Sequence, residues 1–360
     1  MFKKKPRRRS VRRRKKSPET IFWMVLVAIL VLAGTGFLAH NVLFASGGPV
    51  SWLAAMTAGR NNEVAIDSVE VAENISEQPE VVDAAEDFLN LWEPKEPTTH
   101  HNILLLGLDN HGMSDVIMIF TYDLQTFDSA LLSIKRDTYV DNQTWARKDS
   151  GQGHLAWASN RGMLADGDYD DGANLAAYTV ENLLGIELHN YAAVSFEGFT
   201  EFVDLIGGVQ IEVDPEFAGR EGRSLPTGLQ RLDGEQALVY ARHRQNPRIP
   251  EPGSTSQDGD RVRRNQRLLK AMMEQCKTMG SDELMHVVEQ LDNKFYTSLD
   301  DWDILDMINI LYNRNPDEIE TFIMPGEGER VYQERIERNI YYYFLDFDSC
   351  DMILEELGLK

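Results

Sequence analysis

Two aspartates, Asp109 and Asp115, stand at the ends of a short polar loop, Asn110-His111-Gly112-Met113-Ser114. Apolar runs of strand length flank it, Ile103 to Leu108 before and Val116 to Tyr122 after, so both carboxylates are expected at one edge of a sheet. Paired carboxylates with open positions suit Mg²⁺, which keeps waters and takes its remaining oxygens from substrate phosphates. Asp also favours turns on its own account, and the pair taken alone reads more simply that way. The arginines add a second signal. Arg136 closes a third apolar run, Arg242 and Arg244 close a helical stretch, and Arg261, Arg263, Arg264 and Arg267 crowd the next. The whole chain carries 58 Asp and Glu against 36 Lys and Arg, a formal net charge of −22, so this clustering runs against its general character. Arginine at a helix C-terminus complements the dipole. At a helix start, where Arg261 and Arg264 are expected on a shared face, it opposes the dipole unless an anion is bound there. Guanidinium groups grip phosphate oxygens in pairs, so the ligand these residues point to is a pyrophosphate.

Signatures of familiar hydrolases and nucleotide-binding proteins are absent: there is no Gly-x-Ser-x-Gly, no His-Glu-x-x-His, no Cys-x-x-Cys and no Walker loop. The elements that must hold the acids and arginines alternate in type. Ile103–Leu108, Val116–Tyr122 and Ser129–Ile134 read as buried strands bounded by Asp and Gly turns. Ala173–Leu184 has helical spacing and ends at Gly185, a natural C-cap. Tyr191–Ser195 reads as a strand, Gly198–Ile206 as a helix, Val209–Val213 as a strand, and Gly234–Arg242 and Arg261–Met279 as helices. A helix around Trp302–Tyr312, a strand at Ile319–Met324 and a helix near Cys350–Leu357 complete the pattern, which is that of a layered α/β domain.

Ahead of that domain the chain changes character. Residues 1 to 16 hold eleven basic residues and no acid, and Ile21 to Phe44 then runs without Asp, Glu, Lys or Arg. That length reads as a single transmembrane helix, and the basic flank as a cytoplasmic orientation signal rather than a nucleic-acid-binding tail. The expected organisation is a basic tail at 1–20, a span at 21–44, an extracellular stalk at 45–99 with a helix around Val81–Trp92, and an extracellular domain at 100–360. The expected localisation is the cell membrane. Cys276 and Cys350 could pair in an oxidising exterior or stay as buried thiols.

At the same acids and arginines the chain resembles the LytR-CpsA-Psr family of cell-envelope proteins. Asn102-Ile103-Leu104-Leu105-Leu106-Gly107-Leu108-Asp109 with Ser114-Asp115 is similar to its opening motif, and Ser133-Ile134-Lys135-Arg136-Asp137-Thr138-Tyr139-Val140 to a second, with Lys135 where Pro is usual. Thr179 to Ile186, Phe202 to Val209, and Leu232 to Arg244 resemble central motifs, and Asp258 to Gln266 resembles the family's Asp-x-x-Arg-x-x-Arg-Gln run. The ordered motifs cover about residues 101 to 275. The resemblance implies a three-layer α/β/α domain with a central mixed sheet, preceded by a single transmembrane helix. It also implies a Mg²⁺-dependent phosphotransferase that moves a phosphoglycosyl polymer from a polyprenyl-pyrophosphate carrier onto peptidoglycan and releases polyprenyl phosphate. Carried over by motif, Asp109 and Asp115 would hold the metal, and Arg136, Arg242, Arg244, Arg261 and Arg264 the pyrophosphate. Asp258 would orient an arginine, and Asp137 and Asn265 would complete the substrate contacts. Asp109, Arg136, Arg244 and Arg261 are the residues expected to act in the chemistry. Asn110, Met113 and Asn265 depart from the family pattern. A non-catalytic lipid- or polymer-binding protein and a pyrophosphate hydrolase would use the same groups. A membrane-bound transcription regulator fits less well, because about twenty residues are too few for a folded DNA-binding domain.

Overall fold

The computed structural model describes residues 91–141, 153–166, 168–213, 225–243, 257–280 and 315–360, with shorter pieces between 283 and 303. Its centre is a six-stranded mixed sheet. The strands are β1 (His100–Leu108), β2 (Ser114–Asp123), β3 (Ser129–Ser133), β4 (Asn190–Ser195), β7 (Phe295–Thr297) and β8 (Glu320–Ile323), in the order β7-β4-β1-β2-β3-β8. β1 pairs antiparallel with β2 and parallel with β4, and β3 pairs parallel with β8. Helices cover both faces, which is why β1 reads as an unbroken apolar run rather than an alternating one. Ile103 and Leu105 face one side, with Phe202 and Val203 of α3 (Phe196–Leu205), Tyr240 of α4 (Gly234–Arg242) and Leu268 of α5 (Gln257–Lys277). Leu104, Leu106 and Leu108 face the other, with Ala158 of α1 (Trp157–Asp166), Leu175 and Val180 of α2 (Tyr169–Leu184) and Leu354 of α6 (Phe347–Glu356). The expected α/β domain with a central mixed sheet is therefore present.

The expected elements correspond closely. α2 ends where Gly185 takes φ 66° and its N–H bonds Glu181 O, the left-handed cap read from the sequence. α5 begins a turn earlier than expected, so Arg261 and Arg264 lie one and two turns inside it rather than at its first residues. The dipole argument for an anion at those two positions therefore falls away. The expected strand at Val209–Val213 is β5, and it pairs in a small ribbon with an unforeseen β6 (Gly228–Leu232); a second ribbon, β9 (Gly326–Gln333) with β10 (Arg338–Leu345), was not foreseen. The helix expected at 302–312 lies outside the described residues apart from Asp303, which is helical. Trp92, placed in the expected stalk, is buried against the second core face, and Lys95 bonds Glu181 and His189 O, so the globular body takes in residues before 100.

The expectation of a preceding transmembrane helix is corrected. Among the described residues no helix is long and apolar enough to cross a membrane, and the tail at 1–20, the run at 21–44 and the stalk up to residue 90 lie outside them. The architecture described is the α/β domain alone, and the single-pass topology and the cell-membrane localisation read from the sequence are not carried forward. Cys276 and Cys350 are both free and buried, one in each core face and so on opposite sides of the sheet.

The end of the sheet away from Asp109 holds a buried polar knot. His101 Nε2 donates to Asn190 Oδ1 at 2.6 Å, and its Nδ1 lies 2.8 Å from Tyr122 Oη. His189 Nδ1 accepts the Asn102 N–H at 3.0 Å. Burial pulls the His101 imidazole down to about 4. Because that value lies below the unfolded one, its contribution to stability is present above pH 6.5 and is lost as pH falls toward 4. From this group alone the slope reaches about 1.4 kcal/mol per pH unit between those limits. Urea melts at pH 7 and pH 5 check this: His101→Gln should narrow the difference between the two midpoints, and an unchanged difference would contradict it.

Candidate functional site

Three strand ends meet at one edge. β2 runs antiparallel to β1 and β3, so the C-terminus of β1, the N-terminus of β2 and the C-terminus of β3 coincide. The β1–β2 connection is tight: Asp109 N–H donates to Met113 O and Gly112 N–H to Asp109 O, both at 2.9 Å. Asp109 Oδ1 accepts the His111 and Met113 N–H groups at 2.9 Å each, which fixes the loop, and Asn160 Nδ2 holds His111 O at 2.6 Å from α1. Asp109 is thus a turn-former, as its residue type favours, with Oδ2 making no hydrogen bond among the described residues. Asp115 sits at a register shift, where Leu108 pairs with Ser114 and Gly107 with Val116. Asp115 is the extra residue of that bulge, a device that re-aims a side chain.

Asp115 gathers the arginines. Its Oδ1 is ion-paired with Arg136 Nη1, and its Oδ2 lies 3.6 Å from Arg242 Nε. Arg136 Nε also lies 3.4 Å from Asp137 Oδ1. The Arg242 guanidinium stacks 4.5 Å over the Phe196 ring at the start of α3. Asp115 is only 8% exposed whereas Arg242 is 51% exposed, so the carboxylate is enclosed and one guanidinium faces outward. α5 brings the remaining groups. Arg261, Arg264 and Asn265 are all buried, and Arg264 Nη2 donates to His243 O at 2.5 Å, which joins α5 to the end of α4. Burial, with the Arg264 charge, holds the His243 imidazole below its usual value. Gln266 Nε2 donates to Ser133 Oγ and Phe322 O, which locks α5 to β3 and β8.

An apolar groove of about 910 Å³, part of it open to solvent, leads away from these charges. Asp115, Arg242, Arg261 and Asn265 form its polar mouth, and Phe196, Phe199, Leu238, Leu268 and Met272 are among the walls behind. The Asn265 Oδ1 is buried and makes no hydrogen bond among the described residues.

The structure therefore brings Asp115, Arg136, Arg242, Arg261 and Asn265 together, with Asp137 beside Arg136 and Asp109 at the same edge. Arg244 lies outside the described residues, and Asp258 falls within α5 with its side chain undescribed. Arg263 and Arg267 are exposed, whereas Arg261 and Arg264 are buried, so the run of arginines divides between two faces of α5. Among the described residues no three of His, Cys, Asp and Glu gather into a metal-holding group. The groove walls were missed in the sequence. Leu238 and Ala241 beside Arg242, and Leu268, Leu269 and Met272 following Asn265, are apolar stripes at helical spacing that any core helix also shows. Lys135, where Pro is usual, is buried with its Nζ 3.8 Å over the Tyr343 ring of β10, so the unforeseen ribbon accommodates it.

The family model described as LytR_cpsA_psr matches residues 58–358. The chain belongs to the LytR_cpsA_psr family. Among other members, it is 25% identical over 354 residues to the Oceanobacillus iheyensis protein named polyisoprenyl-teichoic acid–peptidoglycan teichoic acid transferase TagU, covering 97% of this chain and 96% of that one. It is 29% identical over 194 residues to the Enterococcus faecalis protein of the same name, covering 52% of this chain and 56% of that one. The crystal structure of B. subtilis TagV shares the fold, with a TM-score of 0.56 and 23% identity over 73% of this chain and 97% of that one. Within the LytR_cpsA_psr family fold, the charged edge lies at the carboxyl ends of β1, β3 and β4, where open α/β sheets bind ligands.

Proposed function

We propose that this LytR_cpsA_psr protein transfers a phosphoglycosyl polymer from a polyprenyl-pyrophosphate carrier to peptidoglycan and releases polyprenyl phosphate. The observation that carries the reading is the junction of Asp115, Arg136, Arg242 and Arg261 with an apolar groove. A pyrophosphate on a long hydrocarbon needs those two environments side by side. The names of the TagU relatives support the same class of reaction.

In this reading the arginines bind the pyrophosphate oxygens and neutralise charge as it shifts toward the leaving lipid phosphate. Asp115 holds Arg136 and Arg242 in place before substrate arrives. The groove takes the prenyl chain and excludes water from one side. A peptidoglycan hydroxyl attacks the phosphorus bonded to the sugar; a new P–O bond forms and the P–O bond to the lipid phosphate breaks. Asp109, whose Oδ2 is not used by the loop, is the proposed acceptor of the hydroxyl proton. Arg244, Arg264, Asp137, Asp258 and Asn265 remain proposed substrate contacts on the strength of the motifs.

The donor set fits Mg²⁺ in one respect: two carboxylates at one edge are what such an ion takes when water and phosphates supply the rest. Asp109 and Asp115 would hold it, and when bound it would add positive charge beside the pyrophosphate. Both Asp115 oxygens already face arginines, so the affinity for Mg²⁺ alone is expected to be weak. Adding inorganic pyrophosphate should tighten it between about 5- and 150-fold, by reciprocal linkage. Titration calorimetry with and without pyrophosphate, on wild type and Asp115→Asn, measures this, and equal affinities in wild type would count against the metal reading.

The function itself is tested with purified protein, a polyprenyl-pyrophosphoryl glycan, Mg²⁺ and peptidoglycan. Polymer bound to the acceptor is the expected result. Free polymer alone means hydrolysis, and intact donor in every reaction means a binding protein.

A further inference from the structure

Past the end of β3 the chain makes one tight turn, with the Thr138 N–H bonded to Lys135 O at 3.0 Å. Arg136 and Asp137 lie inside it, and their carbonyls are held from elsewhere in the fold. Arg136 O accepts the Ala156 N–H at 3.0 Å, from the residue before α1. Asp137 O accepts the Tyr343 N–H of β10 at 2.9 Å, and Tyr343 O in turn accepts the Tyr139 N–H at 2.8 Å. β10 thus bonds the chain on both sides of Thr138. Its Tyr342 and Phe344 rings also pack on the Tyr139 ring, with centroids 5.3 and 5.1 Å away.

The Tyr343 ring is held as well as its backbone. Its Oη donates to Met324 O at 3.2 Å, and Lys135 Nζ lies 3.8 Å from the ring centroid. Lys135 is 5% exposed and Tyr343 4%. A hydrocarbon side chain would fill such a place without desolvating an ammonium. What a cation adds is direction: it is drawn to the face of the ring, most strongly where water is excluded. The contacts therefore close on themselves. The side chain of residue 135 grips the ring of Tyr343, the Tyr343 N–H grips the carbonyl of residue 137, and Arg136 stands between the two gripped positions.

We infer that Lys135 is a positioning residue for the phosphate site: through Tyr343 it fixes the turn that aims Arg136 at Asp115 and at the pyrophosphate. This rests on the transferase reading, which makes Arg136 a phosphate contact, and it adds to that reading two residues that act through Arg136.

The test uses the full chain, with inorganic pyrophosphate as the probe and amide hydrogen exchange as a second readout. Lys135→Met keeps most of the side chain and removes its charge. It should weaken pyrophosphate binding about tenfold and speed exchange at the Tyr139 and Tyr343 amides. Tyr343→Leu should do the same, whereas Tyr343→Phe keeps the ring and should bind within about twofold of wild type. Lys135→Met combined with Tyr343→Leu should lose no more than either alone, because the two share one contact. The residual pyrophosphate binding of Arg136→Ala should be the same with and without Lys135→Met, which a general loss of stability would not give. Should Lys135→Met fail to fold, Tyr343→Leu against Tyr343→Phe decides the question. Weaker binding without faster exchange would make the charge act directly and overturns the inference. Faster exchange with unchanged affinity, or the full effect of Lys135→Met persisting beside Arg136→Ala, overturns it too. Wild type that binds no pyrophosphate would remove the transferase reading, and this inference with it.

Discussion

Arg136→Ala is expected to lower the rate of polymer transfer by about 10²- to 10³-fold, the scale seen when one preorganised donor to developing negative charge is removed. Arg136 is the better enclosed of the two guanidiniums on Asp115, at 16% exposure against 51% for Arg242. Its loss removes a proposed contact to the pyrophosphate and also leaves Asp115, 8% exposed, with the longer 3.6 Å approach from Arg242 as its remaining ion pair among the described residues. Part of the effect should therefore appear as disorder of Arg242, and Arg136→Ala combined with Asp115→Ala should cost less than the sum of the two singles. Arg136→Lys keeps the charge but not the fork that spans carboxylate and phosphate, so it should recover little. Steady-state kcat/KM for transfer checks each variant, with thermal melts to show that the fold persists. Activity within about threefold of wild type in Arg136→Ala would remove that residue from the chemistry.

Gly234→Ala should damage the fold where it supports the site. Gly234 opens α4, whose N-terminus is secured by a capping box between Asp233 and Gln236 and by the Gly234 N–H bond to Asp204 Oδ1 at 2.7 Å. A Cβ at Gly234 would lie 2.0 Å from Thr200 O, a backbone atom of α3 that cannot swing aside. The two helices must separate, at a cost of about 1–3 kcal/mol or more. α4 ends at Arg242 and α3 begins at Phe196, the ring beneath that guanidinium, so the separation pulls apart the stacked pair. Urea melts should show the lost stability, and pyrophosphate should bind more weakly than to wild type. Gly280→Ala, where an added Cβ meets nothing within 4 Å, is the matched control and should change neither.

The residues that proved easiest to read were those whose local chemistry and burial agree. From Ile103 on, β1 is apolar apart from Gly107 because both its faces are covered, and it stops at an aspartate that caps its own turn. α2 stops at the one residue type that accepts φ 66° without strain. The arginines were legible as an anomaly of sign in an acidic chain, although the sequence could not divide them between two faces of α5. Its start was placed late because the residues before Arg261 include Gly259 and two aspartates, poor helix formers by type. The β9–β10 ribbon was missed for a related reason. Gly-Glu-Gly-Glu-Arg-Val-Tyr-Gln has no apolar face, and it stays ordered through its backbone ladder and through Tyr139, His154, Tyr342 and Phe344, which meet only in the folded chain. α1 likewise has no apolar stripe, and it rests on α2 where Gly162 and Gly172 let two backbones approach closely. The groove was invisible because its walls look like core until the space beside them is seen.

The most direct test of the account follows a phosphorus atom. A polyprenyl-pyrophosphoryl glycan labelled with ³²P only at the phosphate bonded to the sugar is mixed with protein, Mg²⁺ and peptidoglycan. Attack at that phosphorus, with the arginines of Asp115 holding the leaving phosphate, predicts label joined covalently to peptidoglycan and unlabelled polyprenyl phosphate released. Label that remains with the lipid, or on soluble polymer with none on peptidoglycan, would contradict it.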